Sequence, residues 1–151
     1  WLAQQGFQVT AVDQSSVGMA KARVLAVQKA VHIDTVTADL AEWPMGAARW
    51  DGVVSIWCHL PSAVRRKVHR HVVAGLRPGG VLVLEAYTPA QLTFKTGGPA
   101  DSDLMPTLAL LRDELAGLDF KIARECERSI HEGAGHRGRS AVVQVVARLP
   151  D

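Results

Sequence analysis

Asp13 stands where an acid can do chemistry. The run Val9-Thr10-Ala11-Val12 leads up to it in apolar and β-branched residues, and a helix pattern opens just beyond, at Ser15 or Ser16. A carboxylate at the tip of a strand can accept two hydroxyl hydrogen bonds at once, and in nucleotide-binding α/β folds an acid there takes the ribose hydroxyls. The competing reading is a cap for the helix that follows. His59 lies just past another apolar run, Asp51 to Trp57. A side chain that titrates near neutrality suits acid–base work or substrate orientation at that place. Its alternative is a structural histidine capping the helix at Pro61. His131 and His136 flank Glu132 in a glycine-rich stretch. That spacing matches no helix-borne ligand pair, so no metal site is read; the stretch suits a loop over a substrate mouth. Arg65, Arg66, Lys67, His69, Arg70 and His71 form a basic run with no aromatic residues between them. It reads as a solvated helix face rather than a nucleic-acid surface.

The elements that must position these residues follow from pattern. Trp1 to Gln5 reads as the end of a helix stopped by Gly6. Strands are expected at Gln8–Asp13, His32–Thr37, Asp51–Trp57 and Val81–Tyr87, and a final pair at Phe120–Ser129 and Ser140–Arg148, joined through Gly133 to Gly138. A helix from Ser15 or Ser16 to about Ala30 should bury Val17, Ala20, Val24 and Val27. A second, opening at Pro61, should bury Val64, Val68, Val72 and Leu76, and Arg77-Pro78-Gly79-Gly80 should end it in a tight turn. A third, capped by Asp103, carries Leu104, Leu108, Leu111, Leu115 and Leu118. Alternating strands and helices predict an α/β, doubly wound, mostly parallel sheet with a C-terminal antiparallel hairpin. The near-continuous apolar character of Asp51–Trp57 implies a strand covered on both faces.

With 151 residues the length prior gives one domain over 1–151, and 48% hydrophobic residues suffice for a core. A net charge of +2 gives no strong pull toward nucleic acid or acidic membranes. Cys58 and Cys126 lack metal-ligand spacing, and a reduced, cytoplasmic setting is the simple expectation. No apolar run approaches membrane-spanning length, so no membrane partner is expected.

Several segments, taken in order, resemble class I S-adenosylmethionine-dependent methyltransferases, and among them the tellurite-resistance-type small-molecule branch. They are Val12-Asp13, Ala38-Asp39-Leu40, Trp50-Asp51-Gly52-Val53-Val54-Ser55, Cys58-His59-Leu60-Pro61 and Leu76-Arg77-Pro78-Gly79-Gly80. The resemblance implies a Rossmann-like fold, S-adenosylmethionine as cofactor and a small-molecule methyl acceptor. It makes Asp13 the ribose acid, with Gln14 beside it. Asp39 takes the adenine amino group, and Leu40 offers its amide to the ring. The family's glycine-rich first motif has no counterpart here, so the chain is expected to lack the first strand and that motif. The gap between the Gln8 and Asp51 strands is then expected to close by direct pairing, or to be filled in a homodimer through exposed sheet edges.

Ligands in such sheets lie outside the carboxyl ends of the strands. The backbone of Ile56 and Trp57 is therefore expected near the sulfonium, His59 near the transferred methyl, and Tyr87 and Gln91 at the substrate pocket. Two other functions compete. A scaffold that no longer binds cofactor fits the absent motif. A nicotinamide-dependent oxidoreductase fits Asp13 but not the final antiparallel pair.

Overall fold

The computed structural model describes residues 1–133 and 135–151; Ala134, within the expected Gly133–Gly138 connection, lies outside the described residues. The chain forms two compact units, Trp1–Pro44 and Met45–Asp151.

The first unit is a small strand–helix–strand. A 3-10 turn at Ala3–Gln5 ends on Gly6, whose φ of 88° only glycine adopts easily. Strand β1 (Thr10–Asp13), helix α1 (Ser16–Gln28) and strand β2 (Asp34–Thr37) follow. The Ser15 hydroxyl accepts the Gly18 N–H at 3.0 Å and caps α1. β1 and β2 pair in parallel, Thr10 against Asp34 through Asp13 against Thr37.

The expected buried face of α1 does not form. Val17, Val24 and Val27 are 64%, 58% and 80% exposed, and Met19 is the buried residue of the helix. A two-stranded sheet of four-residue strands is too small to cover a thirteen-residue helix.

The second unit holds β3 (Trp50–Ile56), α2 (Ser62–Gly75), β4 (Leu76–Tyr87), α3 (Leu108–Glu114), β5 (Asp119–His131) and β6 (Arg137–Arg148). Its sheet runs in the order β3-β4-β6-β5. β3 and β4 are parallel, whereas β4–β6 and β5–β6 are antiparallel. The core lies on β4 and β6, with Leu82, Val142 and Val143 fully buried, closed by Val72 and Leu76 and by Leu111 and Leu115.

The architecture is α/β with mixed pairing rather than one mostly parallel sheet. Within the first unit β1 hydrogen-bonds β2, and within the second β3 hydrogen-bonds β4.

Other differences are local. β3 is not covered on both faces, since Val54 and Ile56 are 54% and 44% exposed. β4 begins at Leu76 instead of Val81. Trp50 pairs with Leu76 and Gly52 with Val81, so Arg77-Pro78-Gly79-Gly80 forms a bulge inside the strand and not a turn before it. Thr107, not Asp103, caps the third helix, which spans only Leu108–Glu114. Asp103 instead turns to α2, where its Oδ2 accepts the Ser62 N–H at 2.9 Å. That bond holds the Asp103 carboxyl below the usual carboxylate range.

The basic run of α2 is not uniformly solvated either. Arg65 and His69 are buried, 3% and 6% exposed, against the equally buried Glu114 of α3. Both nitrogens Nε and Nη2 of Arg65 donate to that carboxylate, and His69 Nδ1 lies 2.7 Å from its Oε2.

Candidate active site

Two acids end the two strands of the first unit at the same edge. Asp13 closes β1, and Asp39 lies two residues beyond the end of β2. The Ala38 N–H donates to the Asp13 carbonyl at 3.1 Å, which ties the two strand ends together. Both side chains are exposed. Each is braced in the same way: one Asp13 oxygen accepts the Ser15 N–H at 2.7 Å, and one Asp39 oxygen accepts the Ala41 N–H at 2.8 Å. Such bonds to a backbone amide two residues ahead fix the carboxylate's direction. Gln14 is exposed beside Asp13, and Leu40 is half-buried beside Asp39. The donor set of an adenosine, two ribose hydroxyls and an exocyclic amino group, matches two acceptor carboxylates held on one edge.

The second unit carries a cavity of about 500 Å³ lined by Trp57, His59, Tyr87, Gly98, Pro99, Leu104, Glu132 and His136. β3 delivers Trp57 at its C-terminal end with φ 58°, a backbone state uncommon outside glycine. Its ring stacks on Tyr87 at 4.7 Å between centroids, and the His59 ring also stacks on Tyr87, at 5.4 Å. The indole N–H donates to Glu132 Oε2 at 2.5 Å. Glu132 also pairs with Arg128 at 3.5 Å, and Arg128 in turn binds Glu85. Arg128 lies over the Trp57 ring, 5.8 Å from its centroid. The tip of the β5–β6 hairpin is thus tied to the end of β3.

His59 lies in this cavity, yet its ring is occupied. Nε2 accepts the Tyr87 N–H at 3.1 Å. Burial pushes its pKa below 6.5, against a hydrogen bond to the Trp57 backbone that works the other way. The ring is a neutral brace between β3 and β4 and has no lone pair left for an acceptor's proton. Tyr87 is buried, and its hydroxyl lies 3.2 Å from Nδ1 of His136. Ile56 is exposed at the end of β3.

Gln91 does not face the cavity. It is 1% exposed, its amide donates to Thr96 and Gly97, and its oxygen accepts the Ala141 N–H. It fastens the loop after β4 to β6. Among the described residues no group of three or more His, Cys, Asp or Glu side chains could hold a metal ion. No described helix is long and apolar enough to cross a membrane.

Sequence reasoning placed Glu132 and His136 on a covering loop but missed Gly98, Pro99 and Leu104 as walls. Gly98 has a φ of 88°, and a Cβ there would fall 2.8 Å from Tyr87 Cδ2. Gly98→Ala is therefore expected to lower stability by about 1–2 kcal/mol, read as a lower urea midpoint.

Residues 1–80 match the family described as methyltransferase domain. The chain belongs to that family. Sequence comparison with curated proteins gives no match. Solved structures of the same fold include TehB from Haemophilus influenzae, with a TM-score of 0.77 at 17% identity, covering 97% of this chain and 51% of TehB. A SAM-dependent methyltransferase from Methanosarcina mazei gives 0.76 at 15% identity, covering 99% of this chain and 85% of that one. The N-methyltransferase NodS from Bradyrhizobium japonicum, solved with S-adenosyl-L-homocysteine, gives 0.65 at 17% identity, covering 95% and 67%. Identities this low show the fold.

Proposed function

We propose that this methyltransferase takes an activated methyl group from the sulfonium of S-adenosylmethionine and passes it to a small-molecule acceptor, in the manner of the tellurite-resistance-type branch that its motifs resemble. In this reading Asp13 accepts the ribose hydroxyls and Asp39 the adenine amino group, with Gln14 and the Leu40 amide beside them. The cavity at Trp57 and Tyr87 receives the acceptor. The observation that supports it most is the placement of Asp13 and Asp39 at one end of one parallel pair, both exposed and both braced.

The chain's own residues then do three things. The carboxylates hold the adenosine. The aromatic walls exclude water and align the acceptor, which is most of what a methyl transfer requires. His59 holds β3 and β4 together rather than moving a proton.

The test is formation of S-adenosylhomocysteine from S-adenosylmethionine with a panel of small thiols, phenols, amines and halides. Turnover with at least one of them is expected. Tight binding of S-adenosylhomocysteine with no turnover on any of them supports a non-catalytic scaffold instead.

A further inference from the structure

We infer that the cavity of the second unit takes a flat, uncharged aromatic molecule bearing an acidic hydroxyl, and that His136 receives the hydroxyl proton. This rests on reading that cavity as the acceptor site.

The walls set the shape and charge of the occupant. The rings of Trp57, His59 and Tyr87 lie within 14° to 26° of parallel, and Pro99 and Leu104 complete an apolar lining. A planar ring is the ligand that such faces grip best. A cavity of about 500 Å³ has room for one or two rings. Glu132 is the carboxylate of the lining, and Trp57 and Arg128 already hold it. A ligand that enters as an ion would find no unpaired counter-charge there and would lose its hydration without return, whereas a phenolate formed in place is paired by the His136 imidazolium.

The proton needs a separate recipient, because both sides of the His59 ring are engaged. His136 is exposed and lines the cavity. Its Nδ1 meets the Tyr87 hydroxyl, and its Nε2 has no partner among the described residues. Tyr87, 1% exposed and packed among Met105, Ile130 and Val142, cannot swing away. It acts as a positioning residue: with Nδ1–H donating to the Tyr87 oxygen, the Nε2 lone pair stays available. Proton transfer to an imidazole is far less uphill from a phenolic hydroxyl than from an aliphatic one, which selects the phenol.

The step balances. The acceptor's O–H bond breaks and its proton joins His136 Nε2, giving an imidazolium. The phenolate oxygen bonds to the methyl carbon as the carbon–sulfur bond of the cofactor breaks, and that electron pair stays on sulfur. The imidazolium returns its proton to solvent.

The probe is 4-nitrophenol, whose phenolate absorbs visible light. Without cofactor, the protein is expected to bind it and hold a larger phenolate fraction than solution at the same slightly acidic pH. His136→Gln, at an exposed position, should still bind it but lose that enrichment. With S-adenosylmethionine, 4-nitroanisole forms, and His136→Gln slows this at least about a hundredfold. Tyr87→Phe should shift the pH profile of transfer while leaving nitrophenol affinity little changed. Unaltered phenolate enrichment in His136→Gln overturns the proton assignment. Failure to bind nitrophenol overturns the acceptor class. S-adenosylhomocysteine titrated in parallel separates the two readings: its binding without nitrophenol binding leaves methyl transfer standing, and phenolate enrichment without it keeps the cavity assignment and removes the transfer.

Discussion

Glu114→Ala should destabilise the protein by about 3–5 kcal/mol, the usual effect of leaving a buried charge without its partner. Arg65 would stay buried with Nε and Nη2 unanswered, and His69 would lose the carboxylate 2.7 Å from its Nδ1. Only the Arg65 Nη1 bonds to the Leu60 and Asp103 carbonyls would survive. Domains are commonly stable by about 5–15 kcal/mol, so this change alone should remove a large share, read from urea unfolding. Arg65→Met, His69→Leu and Glu114→Leu made together should recover most of it, because an apolar trio of similar volume carries no desolvation penalty. A triple variant as unstable as Glu114→Ala would show that the cluster acts by geometry and not by charge.

The same cluster gives a pH dependence. Burial depresses the His69 pKa below 6.5, outweighing the opposing attraction of Glu114. The unfolded chain therefore takes up this proton more readily than the folded one. Stability is fully present above about pH 6.5 and falls as the pH drops toward the folded value. Burial depresses His59 in the same direction. His69→Gln should flatten part of the decline in urea midpoint between neutral and mildly acidic pH; an unchanged slope would contradict the assignment.

Asp13→Ala is expected to weaken S-adenosylhomocysteine binding by roughly a hundredfold, since two charge-assisted hydrogen bonds at about 1.5 kcal/mol each amount to about two decades in affinity. Asp39→Ala should weaken it by about tenfold, through one such bond. Asp13 also braces the Ser15 amide, so its loss touches the entry to α1. Asp13→Asn separates the effects: an amide can still accept from Ser15 yet carries no charge toward ribose. It should restore helix stability without restoring affinity. Equal affinity in Asp13→Asn and the parent chain would remove Asp13 from the cofactor site.

The sequence made the acids legible because each sits at a strand end, where side-chain period and topology agree. Asp13 and Asp39 are at the tips of β1 and β2, close to where pattern placed them. It also showed the hairpin that carries Glu132 and His136, through its glycines. What it hid was partnership over distance. The burial of Arg65 and His69 depends on Glu114, more than forty residues on, and a helical wheel of α2 assigns them to solvent. The role of Asp103 failed similarly: its place before a leucine repeat suggested its own helix, while its carboxylate caps α2. The apolar face of α1 reads as core in any window, yet two short strands cannot bury it. Gln91 looked like a pocket residue from its place after β4, and only the fold reveals that β6 uses its amide.

The account turns on Asp13 and Asp39 holding one adenosine between them. Backbone amide shifts recorded while S-adenosylhomocysteine is added address this directly. The amides of residues 13–15 and those of residues 39–41 should move together, along one saturation curve. Movement of one group without the other, or of neither while the ligand binds elsewhere, would contradict it.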